Sequence, residues 1–181
     1  GGPDDRYMTQ YIITGIGHLR KLNALTKEDY ASLKPMVDRA VPYLDARIKE
    51  DYDLLVKRKV KLTQNNLSYY AIQYLYMRSF FPELKISAAA QKAHDYYLGQ
   101  TKTYWLSQGK YMQGMIAISV HRSGDTKVPQ AIIKSLKENS ITNEELGMYW
   151  KDWTNRGWLW HQAPIESQAL MIEAFTEIDK N

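Results

Sequence analysis

The side chains best suited to metal binding or proton transfer near neutral pH are the four histidines His18, His94, His121 and His161. None has another histidine three or four residues away, the spacing that puts two ligands on one face of a helix. The chain holds no cysteine, so disulfides, thiolate metal sites and cysteine nucleophiles are excluded within it. It has no glycine-rich loop to cradle a phosphate, no GxSxG elbow to expose a serine, and no aspartate-rich run of the kind that holds magnesium pyrophosphate. Asp4-Asp5 is only a pair, and acidic residues there favour a helix start. The expectation is a chain with no catalytic residue, no metal site and no cofactor.

One stretch stands apart. Trp150, Trp153, Trp158 and Trp160, followed by His161, bring four indoles into eleven residues. Such a cluster suits an aromatic platform for a sugar or a protein partner. The competing reading has Trp158 and Trp160 alternating across an extended segment, with one ring in the core. Trp153, Trp158, Trp160 and His161 are therefore the candidate binding residues. Gly157 to Gln162 is the one segment that reads as extended.

The elements that must position these residues are helical. In the first, Met8, Ile12, Ile16 and Leu19 recur at spacings of four, four and three and predict one buried stripe. Gly15 and Gly17 inside it suggest close approach of a neighbouring helix. Thr26-Lys27-Glu28-Asp29 has the form of a capping box and opens a second helix, striped by Leu33, Val37, Val41, Leu44, Ile48, Tyr52 and Leu55. Pro42 should kink or split it. Lys57-Arg58-Lys59 and Lys61 read as a solvated helix end rather than a binding patch.

A third helix, capped at Asn65-Asn66, runs to Phe81. A fourth covers Ser87 to Gln108, a fifth Lys110 to Arg122 and a sixth Val128 to Glu138. Thr142-Asn143-Glu144-Glu145 predicts a capping box and a seventh, and Pro164 fits the first turn of an eighth ending near Ile178. About eight helices joined by short loops give an all-α fold of stacked helical hairpins. A faint repeat has starts at Tyr7, Asn66, Tyr111 and Ile165, and points to alternating inner and outer helices.

The composition fits a globular chain: 181 residues, 44% hydrophobic, and a net charge of +4 spread along its length. That balance calls for no nucleic-acid partner and no direct membrane contact. The 14 tyrosines and 5 tryptophans suit half-buried positions along an interior surface or groove. The opening Gly1-Gly2-Pro3-Asp4-Asp5 reads as the start of a fragment cut from a longer protein.

Two segments carry a family resemblance. Asp4 to Ile12, continuing through Gly15-Ile16-Gly17-His18-Leu19, looks like a helix in the middle of the toroid domain of bacterial alpha-2-macroglobulins. Trp160 to Phe175 is similar to a late inner helix of that domain, and Val41-Pro42-Tyr43-Leu44-Asp45 also fits. The resemblance implies an alpha/alpha toroid, here incomplete, with residues 1–181 a fragment of a thioester-type domain related to complement proteins.

It further implies a non-catalytic part of an endopeptidase inhibitor that traps proteases by conformational change. Its partners would be the neighbouring domains of its parent and, through the parent, proteases. The setting would be the periplasm or cell envelope, with lipid anchoring through the parent. Many members carry an internal thioester between a cysteine and a glutamine. With no cysteine here, that chemistry maps onto no residue of this chain, and His161 does not stand where the family's assisting histidine does. Two rival readings remain: an alpha/alpha-toroid enzyme acting on carbohydrate or isoprenoid, against which a lone Glu166 weighs because such enzymes use paired carboxylates or metal ligands, and a helical-repeat adaptor.

Overall fold

A computed structural model describes residues 5–143, 147–149 and 164–179. The fold is all-α. Its elements in chain order are α1 (Arg6–Lys21), α2 (Lys27–Lys57), α3 (Tyr69–Arg78), α4 (Ala88–Tyr104), a 3-10 turn (Trp105–Ser107), α5 (Lys110–Arg122), α6 (Lys127–Glu138), a hairpin of β1 (Ile141–Asn143) and β2 (Gly147–Tyr149), and α7 (Pro164–Ile178). The chain divides into two compact units, Gly1–Gln100 and Thr101–Asn181.

In the first unit, α1 packs on α2 and α3. Asp5 caps α1 by accepting from the Met8 N–H, and Thr26 and Asp29 form the expected reciprocal capping box on α2. The buried face of α1 is not the predicted stripe. Ile16 is buried, but Met8, Ile12 and Leu19 lie 44–49% exposed, and Gln10, Ile13 and Gly17 face inward instead. Gly17 sets this rotation: a Cβ there would lie 2.6 Å from Phe80 Cβ, so only glycine lets α1 come this close. Gly15, on the other side, has nothing within 4 Å.

α2 is also not split. It runs unbroken for 31 residues through Pro35 and Pro42. Each proline removes one N–H, which would have bonded the carbonyl four residues back, at Ala31 and Asp38. Both of those residues and both prolines are exposed, so water can take the freed carbonyls while Val37, Val41, Leu44, Ile48 and Tyr52 keep the inner face buried.

α3 is enclosed instead of one-sided: every residue from Ala71 to Arg78 is buried. Ser68, not the Asn65-Asn66 pair, caps it by accepting from the Ala71 N–H. Those asparagines shape the preceding loop. Asn66 donates to the Tyr96 hydroxyl and takes the Gln100 amide oxygen on its backbone N–H, which ties the loop to α4.

In the second unit, α5 packs on α6 and α7. Gln113 to Val120 are all buried, so α5 is enclosed as α3 is, whereas α6 buries only Pro129, Ile132, Ile133 and Leu136. Gly114 again admits a close neighbour, with Leu170 and Met171 of α7 3.2–3.4 Å from where its Cβ would be.

The helix expected from Thr142 is instead the antiparallel hairpin, with Ile141 opposite Tyr149 and Asn143 opposite Gly147. The Thr-x-x-Glu pattern was misleading. Gly147 would sit in the second turn of that helix, and the flanking Ile141, Thr142 and Tyr149 favour strands. The Gln168 amide of α7 donates to the Met148 carbonyl and holds β2 in place.

Three helices end in the same way. After α1, α2 and α5 the chain turns through a left-handed residue, Asn23, Lys59 and Gly124. The following N–H groups of Ala24, Val60 and Asp125 then return to the carbonyls of Leu19, Leu55 and Val120. Lys57, Arg58 and Lys59 are exposed at the end of α2, as a solvated helix end should be.

Candidate functional site

Trp153, Trp158, Trp160 and His161 lie outside the described residues, as does the extended segment expected from Gly157 to Gln162. The remaining chemistry-bearing residues can be placed. His18 is half-buried on α1, its ring edge-on to Phe80 and Tyr76 and its Nε2 2.5 Å from the Tyr76 hydroxyl. His94 on α4 lies beside Asp95, with its ring edge-on to Tyr74. Glu166 is half-buried in the first turn of α7. Among the described residues no group of three or more histidine, aspartate or glutamate side chains is placed to hold a metal ion. No described helix is long and apolar enough to cross a membrane.

Sequence reasoning missed a polar cluster at the N-terminal ends of α1 and α3. Arg6 Nη1 donates to Asp51 at 2.7 Å, its Nε donates to the Gln10 side chain, and its guanidinium lies over the Tyr70 ring. Gln10 in turn donates to the Gln73 amide oxygen at 3.0 Å. Gln10 and Gln73 are fully enclosed, at 0% and 4% exposure. Tyr7, Tyr69 and Tyr70 stand beside them with ring centroids 6.2 Å apart in each adjacent pair. Arg6 Nη2 is buried without a hydrogen-bond partner among the described residues. Tyr97 is pushed well above its ordinary value, chiefly by burial and then by the Asp51 charge, so it stays protonated.

The second unit repeats the theme. Gln113 near the start of α5 and Ser167 near the start of α7 are 2% and 0% exposed, and Gln113 Oε1 and Ser167 Oγ have no hydrogen-bond partner among the described residues. Helices α1, α3, α5 and α7 thus each bury a polar side chain within their first five residues: Gln10, Gln73, Gln113 and Ser167. Three of the four repeat starts seen in the sequence, Tyr7, Tyr111 and Ile165, fall one residue inside α1, α5 and α7, and Asn66 falls three residues before α3. An isolated glutamine or serine near a helix start carries no signal of its own. The signal lies in its recurrence at alternate helices.

Several described carboxylates are committed to cations. Asp45 and Arg78 are both buried, with Nε 3.1 Å from Oδ1, and the Tyr74 hydroxyl donates to the same oxygen at 2.6 Å. Burial, then the Asp45 charge, raises Tyr74 far above its usual range, so it remains a donor. Glu173 and Glu177 of α7 both take hydrogen bonds from Arg122, at 2.6 and 2.9 Å. Burial pushes Glu83 up, but the Arg20 hydrogen bond and charge outweigh it and hold this carboxyl below its ordinary value. A carboxylate so paired is a poor general acid or base. Hydrogen bonding and aromatic contact are what these groups offer. No protein-family model, curated protein or solved structure matches the chain.

Proposed function

We propose that this chain is a non-catalytic module of an alpha-2-macroglobulin-like protease inhibitor, acting by changing its place within a larger protein when that protein is cleaved. The observation that carries the reading is the alternation of helix types. Enclosed helices α3 and α5 follow one-sided or exposed neighbours, and buried polar groups recur at the starts of α1, α3, α5 and α7. That pattern fits paired inner and outer helices, and the finer architecture we propose is an arc of an alpha/alpha toroid. The likeness of Asp4 to Leu19 and of Trp160 to Phe175 to segments of that family's toroid supports the same assignment. The pairing of Asp45, Asp51, Glu173 and Glu177 with arginines weighs against a carbohydrate- or isoprenoid-processing enzyme, which needs carboxylates free to move protons or hold metal.

On this reading the partners are neighbouring domains and, through them, proteases in the periplasm or cell envelope. The tryptophan-rich segment is the contact surface. The test is small-angle scattering on the full-length parent before and after limited proteolysis. The nicked but intact assembly should become more compact, and Trp158→Ala should weaken that compaction. An unchanged radius of gyration would sink the trap reading and leave the adaptor as the better one.

A further inference from the structure

The buried polar groups near the helix starts form one satisfied pair and one unsatisfied pair. In the first unit α1 and α3 run in the same direction, since Gln10 meets Gln73 near their starts and Gly17 meets Phe80 just past the end of α3. Gln10 and Gln73 are each the fifth residue of their helix, and one amide donates directly to the other at 3.0 Å.

The second unit repeats this arrangement with one side chain shortened. α5 and α7 also run in the same direction, with Gly114 against Leu170 and Met171 and, nearer their ends, Arg122 on Glu173 and Glu177. Gln113 and Ser167 are each the fourth residue of their helix. Ser167 precedes Leu170 and Met171 by three and four residues, so it lies one turn nearer the start on the face of α7 that meets α5. The Gln113 side chain reaches back towards the same end, because its Nε2 donates to the Gln108 carbonyl at 2.8 Å. That carbonyl can only accept, which fixes the amide's orientation and leaves Oε1 as a second acceptor to be satisfied. Serine reaches less far than glutamine. Neither Gln113 Oε1 nor Ser167 Oγ has a hydrogen-bond partner among the described residues.

The chemistry of the two groups selects their occupant. It must be small, because Gln113 and Ser167 are only 2% and 0% exposed. It must donate to Oε1, which excludes an anion, and the positive ends of two parallel helices disfavour a cation. A small neutral molecule that both donates and accepts remains. We propose that one water molecule is held between α5 and α7, donating to Gln113 Oε1 and hydrogen-bonded to Ser167 Oγ. It does for the second unit what the Gln73 amide does for the first. The start of α5 has no side-chain cap, so it offers backbone donors for a further bond to the same water.

The test is a crystal structure of the full chain that resolves ordered water, which should show a water within about 3.2 Å of both atoms. In solution the two side chains should be coupled through it. Gln113→Met and Ser167→Ala should each raise the unfolding constant, and the double variant should fall short of the product of the two effects by about fivefold. If a variant fails to fold, the crystal structure decides alone. A direct hydrogen bond between Gln113 and Ser167, an ion or another group of this chain on either atom, or no occupant at all would overturn the proposal. So would single-variant effects that simply multiply.

Discussion

Gly15 and Gly17 stand two residues apart in one helix, and replacing each by alanine should change stability in opposite directions. Alanine is better than glycine in a helix interior by about 0.8–1 kcal/mol. At Gly15 the new methyl meets open space, so Gly15→Ala should realise most of that gain. At Gly17 the methyl would lie 2.6 Å from Phe80 Cβ and 2.7 Å from Cγ.

Phe80 cannot simply swing aside. Its ring is held edge-on by His18 and Tyr76, and its carbonyl accepts from Arg20. The backbone of one partner must move, and overpacking of this kind costs about 1–3 kcal/mol. Gly17→Ala should therefore be about 0–2 kcal/mol less stable than the parent, and the two variants should differ by about 1–3 kcal/mol. In urea, with a slope of about 1–3 kcal/mol per molar, their midpoints should separate by about 1 M.

The assay can be localised. All five tryptophans lie at or beyond Trp105, in the second unit, while α1 lies in the first, so far-ultraviolet circular dichroism is the direct readout of the change. If Gly17→Ala proves as stable as Gly15→Ala, then α1 does not rest on Phe80 and the rotation assigned to it is wrong.

Asp45→Ala should cost about 3–5 kcal/mol, because it strands the Arg78 charge in the core; a loss below about 1 kcal/mol in the same urea titration would mean that water reaches the guanidinium. Lys59→Gly should raise stability by about 0.5–1 kcal/mol, since its left-handed φ of 55° suits glycine, and no gain in the thermal midpoint would count against the cap described. Asp125 is held below its ordinary value first by the Lys102 hydrogen bond and then by the Val128 N–H. A carboxyl depressed in the folded state adds stability that is full above its unfolded value of about 4 and is lost as pH falls through the folded value. Asp125→Asn should flatten that acid limb in thermal melts taken across pH, and an unaltered acid profile would remove the assignment.

Much of the fold was legible because local signals agreed with one another. Lys110 to Arg122 lies between two glycines and is the helix its apolar run predicts. Thr26 and Asp29 made the box their spacing implied, and Pro164 opened α7. The errors arose where tertiary contact overrode local pattern. The stripe on α1 was read from Met8, Ile12 and Leu19 because apolar residues lie on two faces of that helix. Only the approach of Phe80 to Gly17 decides which face turns inward. Pro42 argued for a break in α2, but whether a freed carbonyl meets water depends on which side of the helix is packed. The Arg6, Gln10, Gln73 and Asp51 cluster is invisible in the sequence because its long-range pairs, Arg6 with Asp51 and Gln10 with Gln73, are 45 and 63 residues apart. The candidate residues Trp153, Trp158, Trp160 and His161 stand as the sequence left them.

Arg78 closes α3 by reaching past its own helix end, with Nη1 donating to the Phe81 carbonyl and Nη2 to the Leu84 carbonyl while Nε holds Asp45. One buried side chain thus grips the connection that follows it, and the connection cannot loosen without exposing an ion pair. A connection of this kind should resist nicking that a surface loop of equal length would suffer, because a protease needs several residues drawn out into an extended strand. The vulnerable bonds should lie instead at 57–59, where exposed lysines and an arginine crowd the end of α2 ahead of the stretch that Asn66, Tyr96 and Gln100 tie down. A trypsin-like enzyme would then separate the chain between α2 and α3 long before it opened the turn that Arg78 guards.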